Sequence, residues 1–159
     1  MVKTEISLFL KNVPGELANL TKLIGEANIN IEAMTIQDAS SYVQELFKAR
    51  GKSLKRIASV ASYNSMRKDS AQFALIRVIV DNTDKAIDLL AKQDYLFDVN
   101  TVLTIELENR PGELAKIAVK FGEANININY VYGSAVGQDA KWLFVFSTDE
   151  VEEAARIIF

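Results

Sequence analysis

Residues 14–31 read PGELANLTKLIGEANINI, and residues 111–128 read PGELAKIAVKFGEANINI. The two stretches agree at 12 of 18 positions, at a constant offset of 97 residues and without a gap. Self-similarity at a fixed spacing marks a duplication. The segments leading into them match in character as well: TEISLFLKN at 4–12 and TVLTIELEN at 101–109. The seam falls near Asn100, so the chain divides into units 1–99 and 100–159.

Each unit repeats the same local logic. Residues 5–10 and 102–107 are β-branched and aromatic runs that predict strands. Pro14 and Pro111 are expected at the first position of a helix, where a missing N–H costs nothing. Glu16 and Glu113 are expected to fold back onto the helix start and to favour its positive end. Leu17, Leu20, Leu23, Ile24 and Ala27 in the first copy, and Leu114, Ile117, Ala118, Phe121 and Ala124 in the second, are spaced to make one buried helix face. Asn28 and Asn125 follow where a helix end needs positive φ, a conformation asparagine tolerates.

Second strands are predicted at 29–36 and 126–136, with a turn at Val136-Gly137-Gln138-Asp139. Third strands are predicted at 73–80 and 142–146. A helix over 83–91 turns Ile87 and Leu90 inward, and residues 97–99 can form a fourth strand. Ser147-Thr148-Asp149-Glu150 spells a capping box ahead of Val151, Ala154, Ala155 and Ile158, which predicts a closing helix. The order β-α-β-β-α-β implies an α+β fold of two ferredoxin-like repeats, antiparallel sheets with helices on one face. The second repeat ends without its last strand. That leaves the edge at 102–107 open, and the other copy or a second subunit is expected to cover it.

Composition narrows the chemistry. The chain has 159 residues, 49% hydrophobic and 25% charged, which is ordinary for a globular protein. It has no cysteine and no histidine, which removes thiolate chemistry, disulfides, and the commonest general base and metal ligand. No catalytic residue, metal site or cofactor is expected, and the chain does not read as an enzyme. A net charge of −3 argues against a nucleic-acid partner. No apolar run reaches a membrane span and no secretion signal opens the chain, so a cytoplasmic location is expected. Glu150, Glu152 and Glu153 read as a helix start, and Tyr130, Tyr132 and Trp142 as sheet packing.

One segment breaks the repeat. From Ser41 to Ser70 the chain carries Lys48, Arg50, Lys52, Lys55, Arg56, Arg67 and Lys68 against Glu45 and Asp69, a local charge of +5. Tyr42, Val43, Leu46 and Phe47, then Ser53 ahead of Leu54, Ile57, Ala58 and Ala61, predict two short helices around a break at Gly51. Gly51-Lys52-Ser53 resembles the end of a phosphate loop, but Leu46 stands where its first glycine belongs.

The best site candidate is the corner between first strand and first helix. It comprises Asn12, Val13, Pro14, Gly15, Glu16 and Leu17 in one copy, and Asn109, Arg110, Pro111, Gly112, Glu113 and Leu114 in the other. Free N–H groups at a helix start suit a carboxylate, beside a glycine that lets a ligand approach the backbone. Asn12 or Asn109 can add donors, and Glu16 or Glu113 can attract an ammonium.

The pattern of strand, Asn-x-Pro-Gly-Glu-Leu-Ala, amphipathic helix, Glu-Ala-Asn-Ile-Asn-Ile and strand resembles the ACT domain, a regulatory amino-acid-binding module. The tandem arrangement resembles small stand-alone proteins with two such domains. Asparagine at 28 and 125 replaces the family's usual glycine, and the basic insertion at 41–70 stands where the family has a tight connection. The resemblance implies a homodimer that binds an amino acid between units, with Asn30 and Ile31 or Asn127 and Ile128 of a neighbouring unit as the opposite wall. The expected function is a regulatory small-molecule sensor acting on a partner. The alternative is a ligand-free interaction module, for example a regulatory subunit of a biosynthetic enzyme, whose basic insertion docks onto an acidic protein.

Overall fold

The computed structural model describes residues 1–39, 73–135 and 141–159. The expectations for the insertion at 41–70 and the turn at 136–139 lie outside the described residues. In chain order the elements are β1 (Val2–Lys11), α1 (Glu16–Glu26), β2 (Ile31–Asp38), β3 (Phe73–Val80), α2 (Thr83–Lys92), β4 (Phe97–Glu108), α3 (Glu113–Glu123), β5 (Ile128–Ala135), β6 (Lys141–Thr148) and α4 (Val151–Ile158). The strands form one antiparallel sheet in the order β2-β3-β1-β4-β6-β5.

The join between the copies departs from expectation. No glycine or proline interrupts the chain between Phe97 and Glu108, and Val99, Thr101 and Val102 favour extended backbone. Residues 97–99 take the expected fourth-strand place beside β1, but they run on without a break as the front of β4. The front of β4 pairs with β1, from Phe97 opposite Leu8 to Leu103 opposite Val2. Its rear pairs with β6, from Leu103 opposite Phe146 to Glu108 opposite Lys141. Thr4 faces Thr101, its own counterpart in the repeat, and the flanking pairs Lys3–Val102 and Glu5–Asn100 are also counterparts. The two copies thus meet about a local two-fold axis, and each first strand lies where the other copy would need a fourth. The backbone N–H of Thr104 extends this cover by donating to the Met1 carbonyl at 2.7 Å.

Alternation along the strands sends side chains to two layers. On one side Ile6, Leu8, Leu10, Ile76, Val78 and Val80 pack under Leu20 and Ile24 of α1 and Ala86 and Leu90 of α2. In the second copy Leu103, Ile105, Leu107 and Phe146 pack under Ile117 and Phe121 of α3 and Ala154 of α4. The helix-free faces turn toward each other. Ala33, Ile79, Val102 and Val145, from four different strands, form a third buried cluster with Tyr132 and Leu143 at its margin. The two edge strands β2 and β5 come close together, so the sheet folds over on itself.

The helix ends follow the sequence in part. Asn28 and Asn125 adopt φ of 53° and 57°, as their position after each helix requires. The proline expectation is corrected: helices begin at Glu16 and Glu113, and Gly15 and Gly112 are the N-caps, at φ 96° and 90°. Proline and glycine instead fill the centre of a tight turn, closed by Glu16 N–H donating to Val13 and Glu113 N–H donating to Arg110, each at 3.4 Å. A fixed φ followed by a positive one is what such a turn needs. Neither helix start has a side-chain cap, and Glu113 pairs with Lys116 at 2.5 Å instead of folding back. The capping-box reading at Ser147 also fails. Ser147 and Thr148 finish β6, and Glu150 caps α4 without a side-chain bond, because the sheet claims the first two residues. In α3 only Ile117 and Phe121 are buried, while Leu114, Ala118 and Ala124 are exposed.

Candidate functional site

The two corners share a backbone. In each, a strand ends, a Pro-Gly turn reverses the chain, and a helix starts with first-turn N–H groups that no side chain caps. Such amides, at the positive end of an 11-residue helix, suit an anion. The surrounding walls differ. At the second corner a cavity of about 150 Å³ is lined by Glu108, Asn109, Arg110, Gly112, Glu113 and Leu114, together with Trp142 and Phe144. The sequence-predicted residues of this corner other than Pro111 thus converge on one hollow. Arg110 lies against Glu108 at 3.1 Å, both of them exposed.

Trp142 and Phe144 were not read as site residues, because alternating aromatics on a strand look like packing. They stack at 5.6 Å between centroids and 15° between planes. Gly133 lies opposite Phe144, and a Cβ there would come within 2.7 Å of the ring, so this glycine admits the aromatic wall. The buried Nε1 of Trp142 has no hydrogen-bond partner among the described residues. In the first copy Ala74 and Ile76 hold the equivalent register opposite Leu10 and Leu8.

The residues expected as an opposite wall lie elsewhere within the chain. The Asn30 carbonyl accepts from the Asp81 N–H at 3.1 Å, and the Asn30 N–H donates to the Asp81 carboxylate at 2.9 Å. Ile31 packs against the first core and Ile128 against the second. Asn127 donates to Asn129, which donates to Asp149. None of the four lines the cavity at the second corner.

A second group escaped sequence reading. Glu5, on the helix-free side of β1, is fully buried. Its carboxylate accepts from the Tyr130 hydroxyl at 2.5 Å and the Tyr132 hydroxyl at 2.8 Å, both from the other copy. Ser7 donates to it at 3.3 Å, and the Arg77 Nε lies 3.8 Å away. The Arg77 guanidinium also covers the Tyr130 ring at 4.1 Å. Burial, and then the neighbouring Glu5, raise the pKa of both phenols, so they remain donors. The available signal was the repeat itself: Glu5 stands where the second copy has Val102. A further cleft of about 480 Å³ opens between the copies, lined by Met1, Lys3, Glu32, Thr104, Glu106, Leu143 and Phe159, with Lys3 and Glu32 paired.

Among the described residues no group of acidic side chains could hold a metal ion, and no helix is long and apolar enough to cross a membrane. The described chain is one antiparallel sheet with four described helices, built around a duplicated strand-turn-helix corner. The sequence profile of the ACT domain pair matches residues 49–159, and the chain belongs to that family. Its fold is similar to that of the protein BT0572 from Bacteroides thetaiotaomicron, with 23% identity, a TM-score of 0.72, and 99% of this chain and 87% of that one covered. It is also similar to the ligand-free regulatory subunit of aspartate kinase from Thermus thermophilus, with 12% identity, a TM-score of 0.57, and 99% and 93% covered. No curated protein matches it by sequence.

Proposed function

We propose that this protein is a non-catalytic sensor that binds a small amino acid at the second corner and passes the change to a partner protein. The observation that carries the reading is the hollow itself, where uncapped amides, a left-handed glycine and an aromatic wall converge. The ligand carboxylate meets the first-turn N–H groups of α3. Glu108 or Glu113 faces its ammonium, and its side chain lies against Trp142 and Phe144. A hollow of about 150 Å³ suits one small metabolite. Family membership, and the likeness in fold to a protein described as a regulatory subunit, support a regulatory role. A homodimer belongs to this reading, since α3 leaves Leu114 39% and Val119 56% exposed. Asn30 and Ile31, or Asn127 and Ile128, of a second subunit would then complete the site.

Thermal unfolding in the presence of each of the twenty amino acids tests the proposal. A ligand at about 100 times its dissociation constant adds about 2.7 kcal/mol, which raises the melting temperature by about 5–10 °C at this chain length. One amino acid, or one chemically related group, should produce that rise. A flat screen on folded protein rejects the sensor reading and leaves the interaction module, with the basic insertion as its docking element.

A further inference from the structure

The layer between the copies has two halves related by the local two-fold axis, and their side chains differ. One half holds Glu5, Arg77, Tyr130 and Tyr132. The repeat offset and the strand registers assign their counterparts as Val102, Val145, Ala33 and Thr35. Three of these counterparts are buried members of the apolar cluster. One half is thus a hydrogen-bonded polar cluster, and the other is an apolar contact built on the same backbone.

We infer that this asymmetry is a pairing code: the helix-free face of a first repeat fits the helix-free face of a second repeat, and neither face fits another of its own kind. The chemistry follows from exchanging partners about the axis. A pair of first repeats would set each Glu5 against Ala33 and Thr35, and both carboxylates would lose both phenols. Lys3 would then lie opposite Glu5, but Lys3 already serves Glu32 within its own repeat. A pair of second repeats would set each Tyr130 and Tyr132 against Val102, leaving the phenols without their acceptor. Regrouping two chains from mixed to like pairs therefore forfeits four phenol–carboxylate bonds. It offers in return only a lysine shared between two acids. Buried polar groups that lose their partners are costly, and specificity rests on such penalties against the wrong partner.

The axis residue provides the test. The chain has no cysteine, and Thr4 and Thr101 are exposed, directly opposite each other, and counterparts. In the mixed arrangement a Thr4→Cys/Thr101→Cys protein should form a disulfide, and Thr4→Cys alone should not. In a pair of first repeats, Thr4→Cys alone would link two chains. Each protein is refolded at about 1 mM, comparable with the effective concentration a short linker provides, and then oxidised. Thr4→Cys alone should yield few linked dimers in the native background. In a Glu5→Val/Arg77→Val/Tyr130→Ala/Tyr132→Thr background, which copies the apolar half onto the polar one, the yield should rise about tenfold. Tyr130→Phe/Tyr132→Phe keeps the rings and removes only the hydroxyls, and should raise the yield severalfold without changing the circular dichroism. It decides the matter if the fourfold variant does not fold. Equal linking in native and phenylalanine backgrounds, or abundant linked dimers in the native one, would overturn the inference.

Discussion

The corner at Asn12–Leu17 and the corner at Asn109–Leu114 have nearly the same sequence and the same backbone, yet they are not the same site. Both place glycine in the left-handed region, and both leave the helix start uncapped. The difference comes from a strand some thirty residues beyond the second corner, where Trp142 and Phe144 occupy the register that Ala74 and Ile76 hold in the first copy. Ala74 and Ile76 are buried core residues, whereas Trp142 and Phe144 are half-buried and line a hollow. A near-identical turn therefore supplies the same uncapped helix start twice. The strand beneath it decides whether there is room and a surface for the rest of a ligand.

Substitutions in that strand should separate stability from binding. Ile76→Ala removes a fully buried side chain and should cost about 3–4 kcal/mol in denaturant unfolding, while the melting-temperature rise with the ligand persists. Trp142→Ala should cost about 2–3 kcal/mol, less because the ring is half-buried, and should abolish the rise. If both variants retain the ligand effect, the aromatic wall is not part of the site. Gly133→Ala, which forces the Phe144 ring to shift, should cost about 1–3 kcal/mol and weaken binding through the same wall. Its counterpart in the first copy is Ile36, a large residue that the smaller Ile76 tolerates opposite it.

The glycines give a smaller and more even effect. Neither Gly15 nor Gly112 has a heavy atom within 4 Å of an added Cβ, so only backbone strain opposes alanine. Each substitution should therefore cost about 1–2 kcal/mol, the usual penalty for a side chain in the left-handed region. Gly112→Ala alone should also reduce the ligand effect. A change in ligand response from Gly15→Ala instead would transfer the site to the first corner.

Much of this was legible in the sequence because it is local. The duplication, the positive-φ asparagines and the strand at Phe73–Val80 follow from spacing and from residue type at single positions. The helix start at Pro14-Gly15 was misread by two positions, because proline suits both a helix start and the centre of a tight turn. What propensity could not reveal depends on partners about a hundred residues away. Nothing near Glu5 says that Tyr130 and Tyr132 will cover it. In the structure, alternation sends Glu5 and Ser7 to one face of β1 and Ile6 and Leu8 to the other. The sequence could not show that both faces are covered, since a single ferredoxin-like unit leaves its helix-free face to solvent. Trp142 was missed for a related reason: an aromatic in a strand has the same signature whether its ring completes a core or borders a cavity.

The comparison between the copies also extends to pH, with an effect that vanishes near neutrality. Tyr130 and Tyr132 have raised pKa values in the folded protein, whereas their counterparts Ala33 and Thr35 do not titrate. In the unfolded chain the phenols ionise near pH 10. Below that pH both states hold the protons, and the contribution to stability is constant. Above it the unfolded state releases protons first, so stability must fall as pH rises from about 10 toward the folded-state values. Stability measured from pH 9 to pH 11.5 should therefore decline more steeply in the native protein than in Tyr130→Phe/Tyr132→Phe, with the two slopes converging below pH 9. Lysines and the remaining tyrosines contribute equally to both proteins and cancel in the difference. Identical slopes would mean that the two phenols are no harder to ionise in the folded protein than in the unfolded chain, and the contact between Glu5 and the second repeat would not be the one described.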